Sequence, residues 1–84
     1  MEDCLKGNGA DYRGDVSTTE KGYTCQIWTS QEPHGHDRTQ QNYPDAGLGD
    51  HNTCRNPDGE LRPWCYTTDS AVRWDYCDIP TCEG

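Results

Sequence analysis

The chain has 84 residues, only 30% of them hydrophobic and none of them Phe, and its mean hydropathy is -1.18. One small domain is the most it can form, and apolar burial alone does not offset backbone ordering at roughly 1–2 kcal/mol per residue. Fifteen acidic against seven basic residues leave a net charge of -8, which disfavours nucleic acid and anionic membranes and favours basic, lysine-presenting partners.

Six cysteines, at positions 4, 25, 54, 65, 77 and 82, supply the missing cohesion. An even number in so short a chain reads as a disulfide framework and hence a secreted, extracellular setting. Spacing alone does not choose among the possible connectivities. No CxxC pair occurs, so a structural zinc site is not expected. There is no apolar run of signal-peptide length and none that would insert in a membrane. Met1 reads as a start codon added for expression. Residues 1–3 are then an N-terminal tail, 4–82 the single domain and 83–84 a C-terminal tail.

From Cys4 to Cys25 four glycines punctuate the chain, and Asn8-Gly9 favours a tight turn. Tyr12 is a core candidate, and Val16, Thr18 and Thr19 are expected to form a short strand. Ile27 and Trp28, just after Cys25, are both expected in the core. The 28 residues between Cys25 and Cys54 are otherwise polar and interrupted by Pro33 and Pro44. Leu48 is their strong apolar anchor, flanked by Gly47 and Gly49 in a tightly turned backbone.

Three histidines, His34, His36 and His51, raise the question of a divalent ion held with Asp37. A pair at i, i+2 converges on one ion only from a strand or a suitable loop, and no fourth ligand is convincing. At least one is expected to be a structural histidine bonded to backbone. Neither a metal nor a cofactor is expected. Catalysis has no footing either. Ser17, Ser30 and Ser70 lack a nucleophile motif, oxidised cysteines offer no thiolate, and Asp58 and Glu60 sit too close together in one turn to face each other across a cleft.

The last third carries the large side chains. Asn56-Pro57-Asp58-Gly59 is a strong turn signal. Trp64-Cys65-Tyr66 and the run from Val72 to Tyr76 alternate as strands, with Thr67 to Ser70 turning the chain between them. Antiparallel pairing brings their aromatics together, and almost no helix is expected. Asp58 and Glu60 offer negative charge, Arg73 positive charge, and Trp64, Tyr66 and Trp74 flat apolar surface. That set matches a ligand with opposite charges at the ends of an apolar stem.

CRNPDGELRPWCYTTD and RWDYCDIPTC, with GNGADYRG, CQIW, EPH and NYPDAGLG before them, resemble a kringle, the triple-disulfide module of extracellular proteases, growth factors and receptors. The resemblance runs from Cys4 to Cys82 and is strongest to the plasminogen-like kringles, the second to fourth of that series. It implies a small, disulfide-rich kringle fold of loops and short antiparallel strands, with bridges Cys4–Cys82, Cys25–Cys65 and Cys54–Cys77. It also implies binding of lysine, C-terminal lysine and related omega-amino acids. Asp58 and Glu60 match the anionic pair, Trp64 and Trp74 the trough walls, Tyr66 its floor, Arg73 the principal cation and Arg38 an auxiliary one, with Tyr76 at the edge. Glu60 replaces the commoner aspartate, and Thr53 replaces an aromatic next to the third cysteine. The chain is expected to be a non-catalytic, monomeric module of a larger extracellular protein that docks on lysine-bearing partners. The competing expectation is a kringle scaffold, natural or engineered, with no working lysine site, which binds another protein through the loop from His36 to Gln41.

Overall fold

Two buried disulfides make the centre of this molecule, because the sequence provides few apolar side chains to do so. In the computed structural model, which describes residues 4–82, Cys25 pairs with Cys65, Cys54 with Cys77 and Cys4 with Cys82. The sulfurs of Cys25 and Cys54 lie 3.8 Å apart, so the two inner bridges touch. Around them pack Leu5, Tyr12, Trp28, Leu48, Trp64, Tyr66 and Ile79. The four inner sulfurs cluster as tightly as metal ligands do, but as disulfides they present no thiolate to an ion. The tails at 1–3 and 83–84 lie outside the described residues.

Regular structure is sparse. Strand β1 (Trp64–Tyr66) and strand β2 (Trp74–Tyr76) form one antiparallel pair in the register Trp64↔Tyr76, Cys65↔Asp75, Tyr66↔Trp74. No helix occurs among the described residues. Side chains alternate across a strand, so this register sets Trp64, Tyr66, Trp74 and Tyr76 on one face. Cys65 points the other way, into its bridge. The turn between the strands is closed by the buried Thr67 hydroxyl, which donates to the Val72 carbonyl and accepts from the Asp69 N–H.

Elsewhere the loops are stitched by single contacts. Val16 does not enter a strand, and Thr18 makes only an isolated bridge with Thr24. That bridge is made by the Thr19 N–H on the Tyr23 carbonyl and the Cys25 N–H on the Ser17 carbonyl, and the pairing goes no further because the Val16 carbonyl accepts from the Cys54 N–H of another segment. Ile27 also departs from expectation: it is 44% exposed, while Trp28 is 1% exposed. Ile27 opens a turn that the Ser30 N–H closes on its carbonyl, with Gln26 and Trp28 facing in and Ile27 facing out. Gln26 is tolerated inside because its amide donates to the carbonyls of Ser30 and His34 and accepts from the His34 N–H.

The three histidines are anchored to backbone. Ring nitrogens of His34, His36 and His51 lie 2.9, 3.1 and 2.7 Å from the carbonyls of Asp69, Ser30 and Gly47. Arg55, buried beside the core, donates to the carbonyls of Gly14, Cys54 and Gly47. Burial lowers its pKa, and those carbonyls stand in for the water its guanidinium gave up.

Candidate ligand-binding cleft

The aromatic face of the β1–β2 pair opens into a cleft of about 410 Å³. Trp64 is nearly buried and Trp74 is 41% exposed. Their rings meet edge-on at 5.8 Å, and Tyr66 packs against Trp64 at 4.9 Å. Trp28 backs this group from the core, with its ring 5.3 Å from Trp64, and its indole N–H is held by the Thr53 carbonyl at 2.7 Å. The trough is therefore rigid at its base and open along Trp74.

Its carboxylates come from the turn at residues 56–60. The Asn56 side chain closes that turn: its amide donates to the Glu60 and Asn8 carbonyls, each at 2.8 Å, and its oxygen accepts from the Glu60 N–H. Gly59 takes φ +75° between the two acidic residues, a conformation that costs an L-residue energy. Asp58 Oδ1 accepts from the Trp64 indole at 3.1 Å, and Glu60 Oε1 accepts from the Tyr76 hydroxyl at 3.0 Å. Desolvation, and then the bond to Glu60, pushes the Tyr76 phenol up, which keeps it a donor. Both donors are neutral, so they orient the carboxylates without cancelling their charge.

Arg73 lies on the same lining, its guanidinium 5.3 Å from the Tyr66 ring centroid and donating to the Gly35 carbonyl at 2.8 Å. Burial pushes the Tyr66 phenol up as well. The structure thus gathers Asp58, Glu60, Trp64, Tyr66, Arg73, Trp74 and Arg38 around one cleft, with Tyr76 behind Glu60. Arg38 stands apart from its expected partnership with Arg73. Its Nε lies 3.1 Å from Asp58 Oδ2, and its Nη1 pairs with Asp37. The Asp58 contact, first among several causes, holds the Arg38 guanidinium more firmly protonated.

Two lining residues, His36 and Asp37, were not among the expected trough members. His36 stacks on Tyr66, with centroids 4.4 Å apart and planes 17° from parallel. Burial, first among several causes, pulls its pKa below the ordinary histidine value. The neutral ring also satisfies both nitrogens, donating from Nε2 to the Ser30 carbonyl and accepting at Nδ1 from the Arg38 N–H. The run from His34 to His36 reads in the sequence as loop with at least one structural histidine, not as part of the trough. A single aromatic at position 36 carries no pattern that places it over a strand thirty residues away in the chain.

Three disulfides, the inner two in contact, and an aromatic, two-stranded hairpin define a small disulfide-built module. The Kringle domain family matches residues 4–82, and the chain belongs to that family. It is similar to plasminogen of Capra hircus, 53% identical over 82 residues that make up 98% of this chain and 66% of that relative. It is also similar to the Homo sapiens putative apolipoprotein(a)-like protein 2, 51% identical over 83 residues, 99% of this chain and 62% of that relative. The chain spans just under two thirds of these relatives. Kringles are non-catalytic, protein-binding modules of such plasminogen-like proteins, and the proteins similar to this chain are extracellular.

Proposed function

We propose that the cleft binds lysine, C-terminal lysine and related omega-amino acids, and that this monomeric module docks a larger secreted protein onto lysine-bearing partners. The observation that carries this reading is the pair of carboxylates, Asp58 and Glu60, oriented by Trp64 and Tyr76 at an aromatic trough. An ammonium group meets two charged acceptors there, in the charge-assisted bonds that are the stronger class. The methylene stem is covered by Trp64 and Trp74, at roughly 25 cal/mol per Å² of apolar area removed from water, with cation–π attraction adding to it. Arg73 receives the carboxylate, while Arg38 is paired with Asp58 and Asp37. A ligand so small binds in about the micromolar to millimolar range.

Titration with 6-aminohexanoic acid, followed by tryptophan fluorescence or proton NMR, tests the reading. Saturable shifts of the Trp64 and Trp74 signals, abolished by Asp58→Asn, are expected. Absence of any shift at tens of millimolar ligand rejects the lysine site. The contact surface then lies in the loops, beginning with His36 to Gln41.

A further inference from the structure

The turn just inside the outer bridge carries chemistry that the cleft does not use. A backbone nitrogen attacks the side-chain amide of the asparagine before it most readily when it belongs to glycine, which has no Cβ to crowd the approach. Asn8 precedes Gly9, whereas Asn42, Asn52 and Asn56 precede Tyr43, Thr53 and Pro57, and proline has no N–H to give up. Those three asparagines also have their side-chain nitrogens tied down, on the carbonyls of Asp37, Cys25 and Glu60. Asn8 is exposed, and among the described residues its Nδ2 has no hydrogen bond. Its Oδ1 accepts from the Ala10 N–H at 3.1 Å. Such an Asx turn folds the side-chain carbonyl over the Gly9 peptide and leaves a donor in place for the oxyanion that attack creates. The Gly9 N–H donates to the Lys6 carbonyl at 3.0 Å. That bond spans a corner whose residues 6–8 are all exposed, and so short a corner opens locally at low cost.

We propose that Asn8-Gly9 is a site of spontaneous deamidation, and that the isoaspartate it leaves loosens the turn presenting Asp58 and Glu60. The inference stands whether or not the cleft takes lysine. The Gly9 nitrogen loses its proton to solvent and bonds to Asn8 Cγ, and the Cγ–Nδ2 bond breaks to release ammonia. Water then opens the cyclic imide. Opening at Cγ gives aspartate in the ordinary chain, and opening at the former main-chain carbonyl gives isoaspartate, with the chain running through Cγ. One water enters, one ammonia leaves, and no oxidant or cofactor is consumed. The consequence travels through Asn56. Its amide donates to the carbonyls of Asn8 and Glu60, each at 2.8 Å, and its oxygen accepts from the Glu60 N–H. Isoaspartate turns the first of those carbonyls into a carboxylate off the main chain and adds a methylene before Gly9. Gly9 has no room to take up the extra length, since a Cβ there would already lie 2.7 Å from Pro63 Cδ. The Asn56 amide thus loses its fixed anchor in the neighbouring loop.

The test holds the folded, oxidised domain at body temperature and neutral pH for weeks, then maps it with trypsin after reduction and alkylation. The peptide at residues 7–13 is expected to gain the mass of an acid over an amide, with isoaspartate among its products. Peptides that carry Asn42, Asn52 and Asn56 are expected to stay unchanged, and Asn8→Gln to abolish the gain at 7–13. An Asn8 amide that stays intact in the folded domain overturns the proposal, because the turn then shields it. Earlier loss at another asparagine overturns it as well. Hydrogen exchange at the Glu60 N–H reads the consequence. In the isoaspartate form it is expected to run about threefold to tenfold faster than in fresh protein, the net contribution of one hydrogen bond. Asn8→Asp, which adds the charge without lengthening the chain, is expected to match fresh protein. Equal exchange in aged and fresh protein, or equal acceleration in Asn8→Asp, rejects the coupling through Asn56.

Discussion

The Trp64 indole N–H donates to Asp58 Oδ1 at 3.1 Å, so the wall of the trough also aims its anionic end. Trp64→Phe keeps a flat wall but takes away that donor. A hydrogen bond to a charged group contributes about 1.5–3 kcal/mol, so affinity for 6-aminohexanoic acid is expected to fall by about tenfold or more. Calorimetry or NMR titration measures it. Unchanged affinity in a folded variant means that Asp58 is oriented by other contacts.

Two glycines separate backbone strain from crowding. Gly59 has φ +75° and no neighbour within 4 Å of an added Cβ, whereas Gly9 has φ +78° and would place its Cβ 2.7 Å from Pro63 Cδ. Gly59→Ala is expected to cost about 1 kcal/mol from conformation alone. Gly9→Ala is expected to cost about 1–3 kcal/mol beyond that, because Pro63 leads directly into β1 and cannot retreat freely. Denaturant unfolding ranks the two, and equal costs contradict the crowding at Pro63.

Acid should weaken the fold through His36. Its pKa is lowered in the folded chain, chiefly by burial, so the unfolded chain takes up the proton first as pH falls through about 6.5. The stability carried by neutral His36 is complete above that pH and is lost as pH falls on through the lowered folded value. Denaturation curves of wild type and His36→Gln between neutral and mildly acidic pH show this directly. Wild type is expected to lose more stability on acidification than the variant. Parallel losses place the acid sensitivity elsewhere.

Reduction should begin at the outer bridge. Cys25, Cys54, Cys65 and Cys77 are at most 1% exposed, while Cys4 and Cys82 are half-buried. Thiol–disulfide exchange depends on access to the sulfur. Mild reductant followed by alkylation and peptide mass mapping is expected to label Cys4 and Cys82 first. Backbone bonds of Leu5 to Pro80 and Cys82 hold the same corner. Losing an inner bridge removes about 2–5 kcal/mol and part of the core itself, so first labelling at Cys54 or Cys77 contradicts this order.

Much of the fold was legible because it is written locally or covalently. Alternation in Trp64-Cys65-Tyr66 and in the run ending at Tyr76 marks the two strands, and Asn56-Pro57-Asp58-Gly59 marks the turn that presents the carboxylates. The aromatic face follows from a side-chain period of two. The bridges were legible only through the resemblance of the whole cysteine pattern to a family, since spacing leaves their pairing open.

Contacts between distant loops were not written in that way. Ile27 leaves its expected place in the core, and Gln26 is buried beside it because the Gln26 amide bonds Ser30 and His34, and apolarity alone does not show this. The stacking of His36 on Tyr66 and the seating of Arg38 on Asp58 join segments far apart in the chain. The sequence by itself determined that six cysteines hold the chain, where the turn at Asn56-Pro57-Asp58-Gly59 falls and which residues carry the charges and aromatic rings. Only the tertiary structure decided which cation faces which carboxylate, because a long side chain on a loop chooses its partner by where the core delivers the loop.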